Sequence, residues 1–394
     1  MFRAIDKWLV PYLVSRGRRP QRVPGPVHVM VAVCDHFEPL WPCGQTPEAT
    51  AGKRLDRWLR DYPRLAADFT DCDGRHPCHT FFYPDEEYRP AFVQGLAELG
   101  CGGWGEVEVH LHHRHDSPDG LRQRLERYRQ CLRTEHGLLG SDVTGRPSYG
   151  FIHGNWALCN SRPDGDWCGV DAELTVLAET GCYADFTFPS APSPTQPRVV
   201  NALYYASDRP GQRRGHDRGI EAGVRPDSLR AASGEVSSRR GLTHTQVGTR
   251  ESDAAIPRLL LVQGPLELDW ASRKWWILPR LDTAAVSAHT PPGPRRVRLW
   301  LRPHIHVRGR PDWVFVKLHT HGCQEASADM LLGDSMRRLH EHLCRALNDG
   351  TRYCLHYVSA RELVNLVHAA EAGAAGPPGN YRDFVIAPPP CVRR

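Results

Sequence analysis

Short runs of hydrophobic residues recur along this chain and are separated by segments in which apolar side chains have helical spacing. Residues 28–34 and 313–318 are nearly continuous apolar runs, which are typical of strands buried on both faces. In residues 106–111, apolar and polar residues alternate with the two-residue period of a strand. Between such runs, apolar residues recur at helical spacing, as in residues 46–65. This alternation predicts a parallel sheet with crossover helices.

About eight strands are predicted, and most of them are followed by a helix. The candidate runs, nine in all, are 28–34, 79–83, 106–111, 149–152, 181–186, 259–262, 297–301, 313–318 and 352–358. A single helix is predicted over residues 326–347. The pattern favours a closed or nearly closed β/α barrel, with an open doubly wound sheet as the alternative.

The barrel pattern extends over residues 27–370, and three segments depart from it. Residues 1–22 predict an amphipathic helix with a basic end, which either docks on the domain or contacts an anionic membrane surface. Residues 207–257 are rich in Arg, Gly, Asp and Ser without apolar periodicity, so we predict a mobile insertion. Residues 371–394 are rich in Ala, Pro and Gly and predict an arm or a disordered tail.

Composition narrows the classes of function. A chain of 394 residues fits one large barrel with insertions, or two domains. The net charge of +5 comes mostly from arginine and does not favour nucleic acid as a partner. The 13 cysteines include no Cys-x-x-Cys pair, which argues against a disulfide framework and a thiolate zinc site and favours a reducing, cytoplasmic location. Neither a transmembrane run nor a secretory signal is predicted.

Four histidines crowd the end of the strand at 106–111, and a helix start follows at residue 117. They are His110, His112, His113 and His115. Strand alternation places the first two on one face with Glu106 and Glu108, which are either site groups or interior carboxylates paired with arginines. Because neutral imidazole is the commonest protein metal ligand, a metal site is favoured over a solvent-exposed histidine-rich turn.

Three other predicted strands also end in residues suited to catalysis or metal binding. They are Asp35-His36, His153-Gly154-Asn155-Trp156, and His319 with His321. In a barrel, the C-terminal ends of all strands open onto one face, so these side chains are expected to lie together.

With these motifs, the chain resembles the polysaccharide deacetylases of the nodulation-protein type over roughly residues 27–370. The resemblance implies an irregular β/α barrel. The family's first motif has two adjacent acids, of which Asp35 matches the general base, while His36 stands at the position of the metal ligand. The last motif, Leu-x-His, supplies a histidine that acts as general acid. Here that residue is His319 or His321, and we assign His319.

The second motif of the family supplies two histidine ligands four residues apart. His110, after an acidic strand, matches the first of them. Arg114 stands where the second is expected, which is a departure from the family pattern. The second ligand is then His112, His113 or His115, and we assign His113.

The third motif, Arg-x-Pro-Tyr, lines the substrate groove in that family. His153, Asn155 and Trp156 stand in its place, and only the aromatic residue is kept, to stack on a sugar ring. Alternatives remain for single residues. His153 and Asn155 would instead cap a turn, Trp156 would be core, and Asp35 would orient a histidine ligand.

The resemblance implies metal-assisted removal of an acyl group from a carbohydrate or glycoconjugate. A divalent cation of the Zn²⁺ type would be bound by His36, His110 and His113. One coordination position would stay open for water and the acyl oxygen.

Two other functions compete with this one. A glycosidase would use two carboxylates, such as Asp35 with Glu38 or Asp185. A non-catalytic carbohydrate-binding protein would keep the barrel without the reaction. The amidohydrolases also use His-x-His, but on their first strand, whereas the motif at 110–112 follows two earlier strands.

Overall fold

The computed structural model describes residues 4–23, 25–42, 44–225 and 257–390. The strands in these ranges are β1 (Val27–His36), β2 (His79–Pro84), β3 (Gly105–Leu111), β4 (Gly140–Ser141), β5 (Pro147–His153), β6 (Cys182–Asp185), β7 (Leu203–Ala206), β8 (Ile220–Glu221), β9 (Leu259–Val262), β10 (Glu267–Lys274), β11 (Leu278–Asp282), β12 (Trp313–Thr320) and β13 (Tyr353–Tyr357). The helices are α1 (Ile5–Gly17), α2 (Glu48–Ala66), α3 (Pro90–Cys101), α4 (Pro118–His136), α5 (Glu173–Glu179), α6 (Pro294–Leu301), α7 (Glu325–Leu331), α8 (Asp334–Leu347) and α9 (Ala360–Glu371). The predicted α/β class is confirmed.

Eleven of these strands form one sheet, in the order β12-β1-β2-β3-β5-β6-β9-β7-β8, with β13 beside β1 and β4 beside β5. All pairs from β12 to β9 are parallel, whereas β4, β7 and β8 pair antiparallel. The predicted parallel sheet is therefore confirmed. A closed barrel is not, because no pairing among the described strands joins β12 to β7, β8 or β9.

A buried lysine, rather than strand pairing, connects β12 to the far side of the sheet. The Lys317 ammonium on β12 donates to the carbonyls of Phe186 (2.5 Å) and Phe188 (2.6 Å), just after β6. Gly264, just after β9, is so close to β12 that a Cβ there would lie 2.5 Å from the Lys317 carbonyl oxygen. Burial lowers the pKa of Lys317 to about 8. The two sides of the sheet thus meet through side-chain and backbone packing without a hydrogen-bonded ladder.

Strand alternation gives the sheet two buried faces. On β1, Val29 and Val31 pack in a core that includes residues of α2, α3, α4 and α8, which we call the helical face. Met30 and Ala32 pack in a second core with α9, which we call the α9 face. β3 follows the predicted alternation, with Val107, Val109 and Leu111 on the helical face. Its polar residues therefore turn to the α9 face.

An ion pair holds the N-terminal end of β3 to α9. Both oxygens of Glu106 accept from the Arg361 guanidinium at 2.7 to 3.1 Å, and both side chains are buried. Arg361 also donates to the Ile386 carbonyl at 2.8 Å. Glu106 is thus an interior carboxylate paired with an arginine, which was one of the two interpretations of this residue.

Residues 297–301 form part of helix α6 and not the predicted strand. Pro294 occupies the first turn of this helix, a favoured place for proline. The backbone pairing is helical, since the amides of Val297 and Arg302 donate to the carbonyls four residues before them, those of Gly293 and Arg298. A short apolar run is compatible with either a strand or a helix, and here the proline in the first turn favours the helix. The helix predicted over 326–347 divides into α7 and α8.

Helix α1 docks on the domain. Trp8 and Tyr12 are buried against Leu266 and Leu268 near β10. Contact of residues 1–22 with a membrane stays a prediction. Among the described residues, no helix combines the length and hydropathy that a membrane span requires.

The predicted insertion and tail are described in part. Residues 207–225 contain β8 and the fully buried His216, whereas residues 226–256 of the insertion lie outside the described residues. In the tail, residues 371–390 pack onto the domain, and Ile386 is fully buried. The structure therefore differs from a free arm, because Arg361 binds the backbone of this segment.

Replacing Arg361 by alanine is expected to lower the free energy of unfolding by about 3–5 kcal/mol, because Glu106 would stay buried without its counterion. Urea unfolding measures this change. The matched control, Arg337→Ala, removes a partly exposed arginine paired with Asp68 and is expected to leave the midpoint nearly unchanged. Equal midpoints for the two variants would contradict a structural role for the buried pair.

Candidate metal centre

The C-terminal ends of β1, β2, β3 and β12 lie together at one edge of the sheet. β1 is in register with β12 through Asp35 and Thr320, and β2 with β3 through Pro84 and His110. Parallel neighbours in this register end side by side, so the residues that follow them share one space. Imidazole groups from the ends of β1, β3 and β12 therefore meet, as the sequence predicted, and a carboxylate that follows β2 joins them.

Three side chains converge at this edge, and we call them the Glu38 cluster. Glu38 comes from the segment after β1, and His110 and His112 come from the end of β3. Nε2 of His110 lies 3.5 Å, and Nε2 of His112 lies 3.3 Å, from Oε1 of Glu38. The three candidate ligand atoms all lie within 4.8 Å of one another. This spacing fits a single metal ion bound by all three.

The Nδ1 atom holds each imidazole of the Glu38 cluster in place. Nδ1 of His110 donates to the Ile152 carbonyl at 2.8 Å, so in the neutral ring Nε2 carries the lone pair. Nδ1 of His112 lies 2.5 Å from Oε1 of Glu86, which also accepts from the His112 amide at 2.9 Å. Nε2 of His110 is buried and has no well-aligned hydrogen bond. A buried ring nitrogen with a lone pair and a fixed tautomer fits a metal ligand.

Opposing effects of burial and neighbouring charge set the protonation of this cluster. Burial acts to raise the pKa of Glu38, but His110 and His112 outweigh it and hold the pKa below its usual value. Burial acts to lower the pKa of His112, but Glu86 outweighs it and raises the pKa. The cluster therefore keeps an ionised carboxylate beside two imidazoles.

Two further imidazoles border the Glu38 cluster. His36 lies edge-on to His110, with ring centroids 4.9 Å apart, and stacks on His321 at 4.6 Å. Burial and the neighbouring histidines hold the pKa of His36 well below its usual value. Burial also lowers the pKa of His321. Both rings are therefore neutral at pH 7 and able to accept a proton.

Asp35 points away from this cluster, because it precedes His36 on the strand and so lies on the helical face. Its Oδ2 lies 2.8 Å from Nε2 of His79, and its Oδ1 accepts from the Gly322 amide at 2.6 Å. Gly322 directly follows His321, so Asp35 holds the turn after β12. Its role as general base stays a prediction, and both of its oxygens already have partners.

His113 belongs to a second buried group, which we call the Cys168 cluster. Its members are His113, His153, Cys168 and Glu173, with candidate ligand atoms within 4.8 Å of one another. Successive side chains of an extended segment point to opposite sides, so His112 and His113 face different clusters. The structure thus brings His36 and His110 together and places His113 elsewhere. The predicted ligand role of each residue stays a prediction.

Burial and neighbouring charged groups also shift the pKa values of the side chains in the Cys168 cluster. Burial acts to lower the pKa of His113, but Asp116 and Glu173 outweigh it and raise the pKa to about 9. Burial lowers the pKa of His153 to about 4. Burial acts to raise the pKa of Glu173, but His153 and His113 hold it below its usual value.

The remaining predicted residues take different positions. Asn155 and Trp156 follow β5 in a turn with positive φ angles of 55° and 54°, and both are half-buried. His319 is buried with its Nδ1 unbonded, and its amide donates to the Ala284 carbonyl at 3.2 Å. His321, not His319, stacks on His36. The substrate-binding roles of His153, Asn155 and Trp156 stay predictions.

Sequence reasoning missed several residues of these two clusters. Glu38 entered the sequence analysis only as a glycosidase carboxylate. His112 could have been chosen over His113, because it shares the strand face of His110. For Cys168 and Glu173 no motif or period gives a signal, since a long loop and a helix start carry them to the cluster.

Comparisons with known proteins add little to this geometry. No family model matches the sequence, and no curated protein matches it. Among solved structures, one similar chain is described as a "putative polysaccharide deacetylase" from Mycobacterium smegmatis. It has 13% sequence identity and a TM-score of 0.40, over 89% of this chain and 94% of that chain. A likeness of this degree identifies neither site residues nor an activity.

Replacing Gly154 by alanine is expected to displace His112 from the Glu38 cluster. A Cβ at this position would lie 2.2 Å from Cδ2 of His112, so the ring must move. A crystal structure of the variant should show the distance from Nε2 of His112 to Oε1 of Glu38 clearly above 3.3 Å. The control is Gly17→Ala, where an added Cβ has no neighbour within 4 Å. An unmoved His112 ring would contradict this packing.

Proposed function

We propose that this protein is a metal-dependent hydrolase that removes an acyl group, in the simplest case acetyl, from a carbohydrate or glycoconjugate. The observation that carries the proposal is the Glu38 cluster, in which Nε2 of His110 and Nε2 of His112 face one carboxylate oxygen. The cluster lies at the C-terminal edge of a parallel sheet, where α/β proteins bind their ligands.

The ligands of the Glu38 cluster fit a divalent transition metal, and Zn²⁺ in particular. Two imidazoles and one carboxylate are a known catalytic zinc set, which leaves a position open for water or substrate. Such an ion supplies an acidified water and polarises the acyl oxygen. In this proposal, Glu38, His110 and His112 replace the ligand set His36, His110 and His113 suggested by the sequence motifs.

Proton transfer falls to the imidazoles that border the cluster. His321 is the more exposed member of the stacked pair with His36. We assign it the proton of the attacking water, which it then delivers to the leaving amine or alcohol. His319 is less suited because its ring is buried and lies outside the stacked pair. Asp35 acts through the Gly322 backbone as a positioning residue for His321.

The carbohydrate part of the proposal depends on the deacetylase-like motifs and on two aromatic residues. Trp41 lies three residues after Glu38 and is 41% exposed. Trp156 follows β5 at the same edge of the sheet. Tryptophan offers a large apolar ring face beside a polar edge, which suits stacking on a sugar ring.

His110→Ala is expected to lower the number of bound zinc ions by one, because the variant loses a ligand with a fixed tautomer. Mass spectrometry of metals in protein from zinc-supplemented expression measures the content. His289→Ala, which removes an exposed histidine outside the cluster, is the control and should keep the wild-type content. Equal zinc content in the two variants would contradict the site.

His321→Gln is expected to keep its zinc but to release acetate about 10²–10⁴ times more slowly, with little change in KM. Acetate release from N-acetylglucosamine oligomers measures the rate. Asp35→Asn keeps an acceptor for the Gly322 amide, so its rate of acetate release should fall much less.

Two outcomes would change this proposal. If Asp35→Asn keeps its zinc and loses as much activity as His321→Gln, Asp35 is the general base and our assignment of His321 is wrong. If the wild-type protein binds zinc and oligosaccharide but releases no acyl group, the hydrolase proposal fails. A non-catalytic carbohydrate-binding protein then takes its place.

A further inference from the structure

The Cys168 cluster gathers four metal-ligating side chains in a space that the proposed reaction does not use. His113 follows β3, His153 ends β5, Cys168 lies in the loop after β5, and Glu173 begins α5. All four side chains are buried. Two other groups of metal-ligating side chains in the described ranges include exposed members. Complete burial sets this cluster apart from them.

Both imidazoles of the Cys168 cluster direct Nε2 inward. Nδ1 of His153 lies 2.5 Å from the Gly154 carbonyl, which only accepts, so Nε2 carries the lone pair. That Nε2 is buried without a hydrogen bond, 3.3 Å from Oε1 of Glu173. Nε2 of His113 lies 3.0 Å from the same oxygen, while its Nδ1 lies 3.4 Å from Asp116. Metal-binding histidines are held in this way, with a carbonyl or carboxylate behind the outer nitrogen.

The sulfur of Cys168 accepts two backbone hydrogen bonds. The amide of Asn160 donates to it at 3.2 Å and the amide of Val170 at 3.3 Å. The two amides fix the position of the sulfur, which would lose its proton on binding a metal ion. Without a metal ion, the thiol donates to Oε2 of Glu173 at 3.2 Å. The loop is thus shaped to present a sulfur ligand beside the carboxylate.

Charge balance favours a divalent cation here. Once a bound cation has displaced their protons, the thiolate and the carboxylate would carry two negative charges, and two neutral imidazoles would add none. Buried charge is costly unless it is paired, and a divalent cation neutralises this set. Tetrahedral zinc bonds of about 2.0–2.3 Å put ligand atoms roughly 3.3–3.8 Å apart. The four candidate ligand atoms here lie within 4.8 Å of one another, so small shifts would bring them to that spacing.

The loop between β5 and α5 is organised around the cluster. It runs from residue 154 to residue 172 and contains only two short 3-10 turns. Several of its non-glycine residues have positive φ angles: Asn155, Trp156, Cys159, Asn160 and Trp167. A long loop in such conformations needs a source of order other than a helix or strand. A metal ion at the cluster would tie the loop to β3, β5 and α5.

We propose that His113, His153, Cys168 and Glu173 bind a structural zinc ion, separate from the ion of the Glu38 cluster. Four protein ligands complete a tetrahedron and leave no position for substrate, which is the mark of a structural site. Thiolate and imidazole donors select zinc over magnesium or calcium. The sequence argument against a thiolate zinc site concerned paired cysteines, and this site needs only one.

Cobalt substitution tests the proposal on the full chain. A Co²⁺ ion with a thiolate ligand absorbs strongly in the near ultraviolet through sulfur-to-metal charge transfer, whereas one with only imidazole and carboxylate ligands does not. We expect the wild-type protein to bind two equivalents of Co²⁺ and to show this band. Cys168→Ser should lose the band and one equivalent.

Two further variants separate this site from the proposed active site. Cys182→Ser removes a buried cysteine outside the cluster and should keep both the band and the two equivalents. His110→Ala should lose one equivalent but keep the band. Failure of the structural site and failure of the proposed function therefore give different results.

Zinc X-ray absorption on the wild-type protein covers the case in which Cys168→Ser does not fold. We expect one sulfur scatterer at about 2.3 Å from zinc. A cobalt-loaded wild-type protein without the charge-transfer band, zinc-loaded protein without a sulfur scatterer, or a band unchanged in Cys168→Ser would each overturn the proposal.

Discussion

Side chains of an extended strand alternate between the two faces of a sheet, and the placement of the candidate site residues depends on this constraint. On β1 it separates Asp35, which holds the turn after β12, from His36, which reaches the Glu38 cluster. After β3 it sends His112 to the Glu38 cluster and His113 to the Cys168 cluster. A single strand end therefore supplies both candidate metal sites.

The polar residues of β3 change in character along the α9 face. Glu106 is paired with Arg361, and Glu108 accepts from the Tyr183 hydroxyl at 2.5 Å and from the Gly150 amide at 2.6 Å. Burial raises the pKa of Glu108 to about 8, which keeps this interior carboxyl mostly neutral at pH 7. His110 follows at the C-terminal edge with an unbonded Nε2. The interior carboxyl groups of β3 are thus paired or neutral. The atom without a hydrogen bond, Nε2 of His110, lies at the C-terminal edge of the sheet.

The two clusters are mechanically linked through the start of the β5–α5 loop. His153 belongs to the Cys168 cluster, and the next residue, Gly154, packs directly against the His112 ring. Glu173 holds the same loop from the other side, since its Oε2 accepts from the Cys159 amide at 2.6 Å. Ordering of this loop by the Cys168 cluster therefore supports the position of His112 in the Glu38 cluster.

The α/β class, the parallel sheet and the face of each β3 side chain could be predicted from the sequence alone, because they follow from local periodicity. So could the gathering of histidines at strand ends, since parallel strands end at one edge. Tertiary structure alone decided which other residues join these histidines. Glu38, Glu86, Cys168 and Glu173 come from loops and helix starts, whose paths have no period to read. It also decided that no strand pairing closes the described sheet, whose two sides meet instead through contacts such as that of Lys317, between segments distant in the sequence.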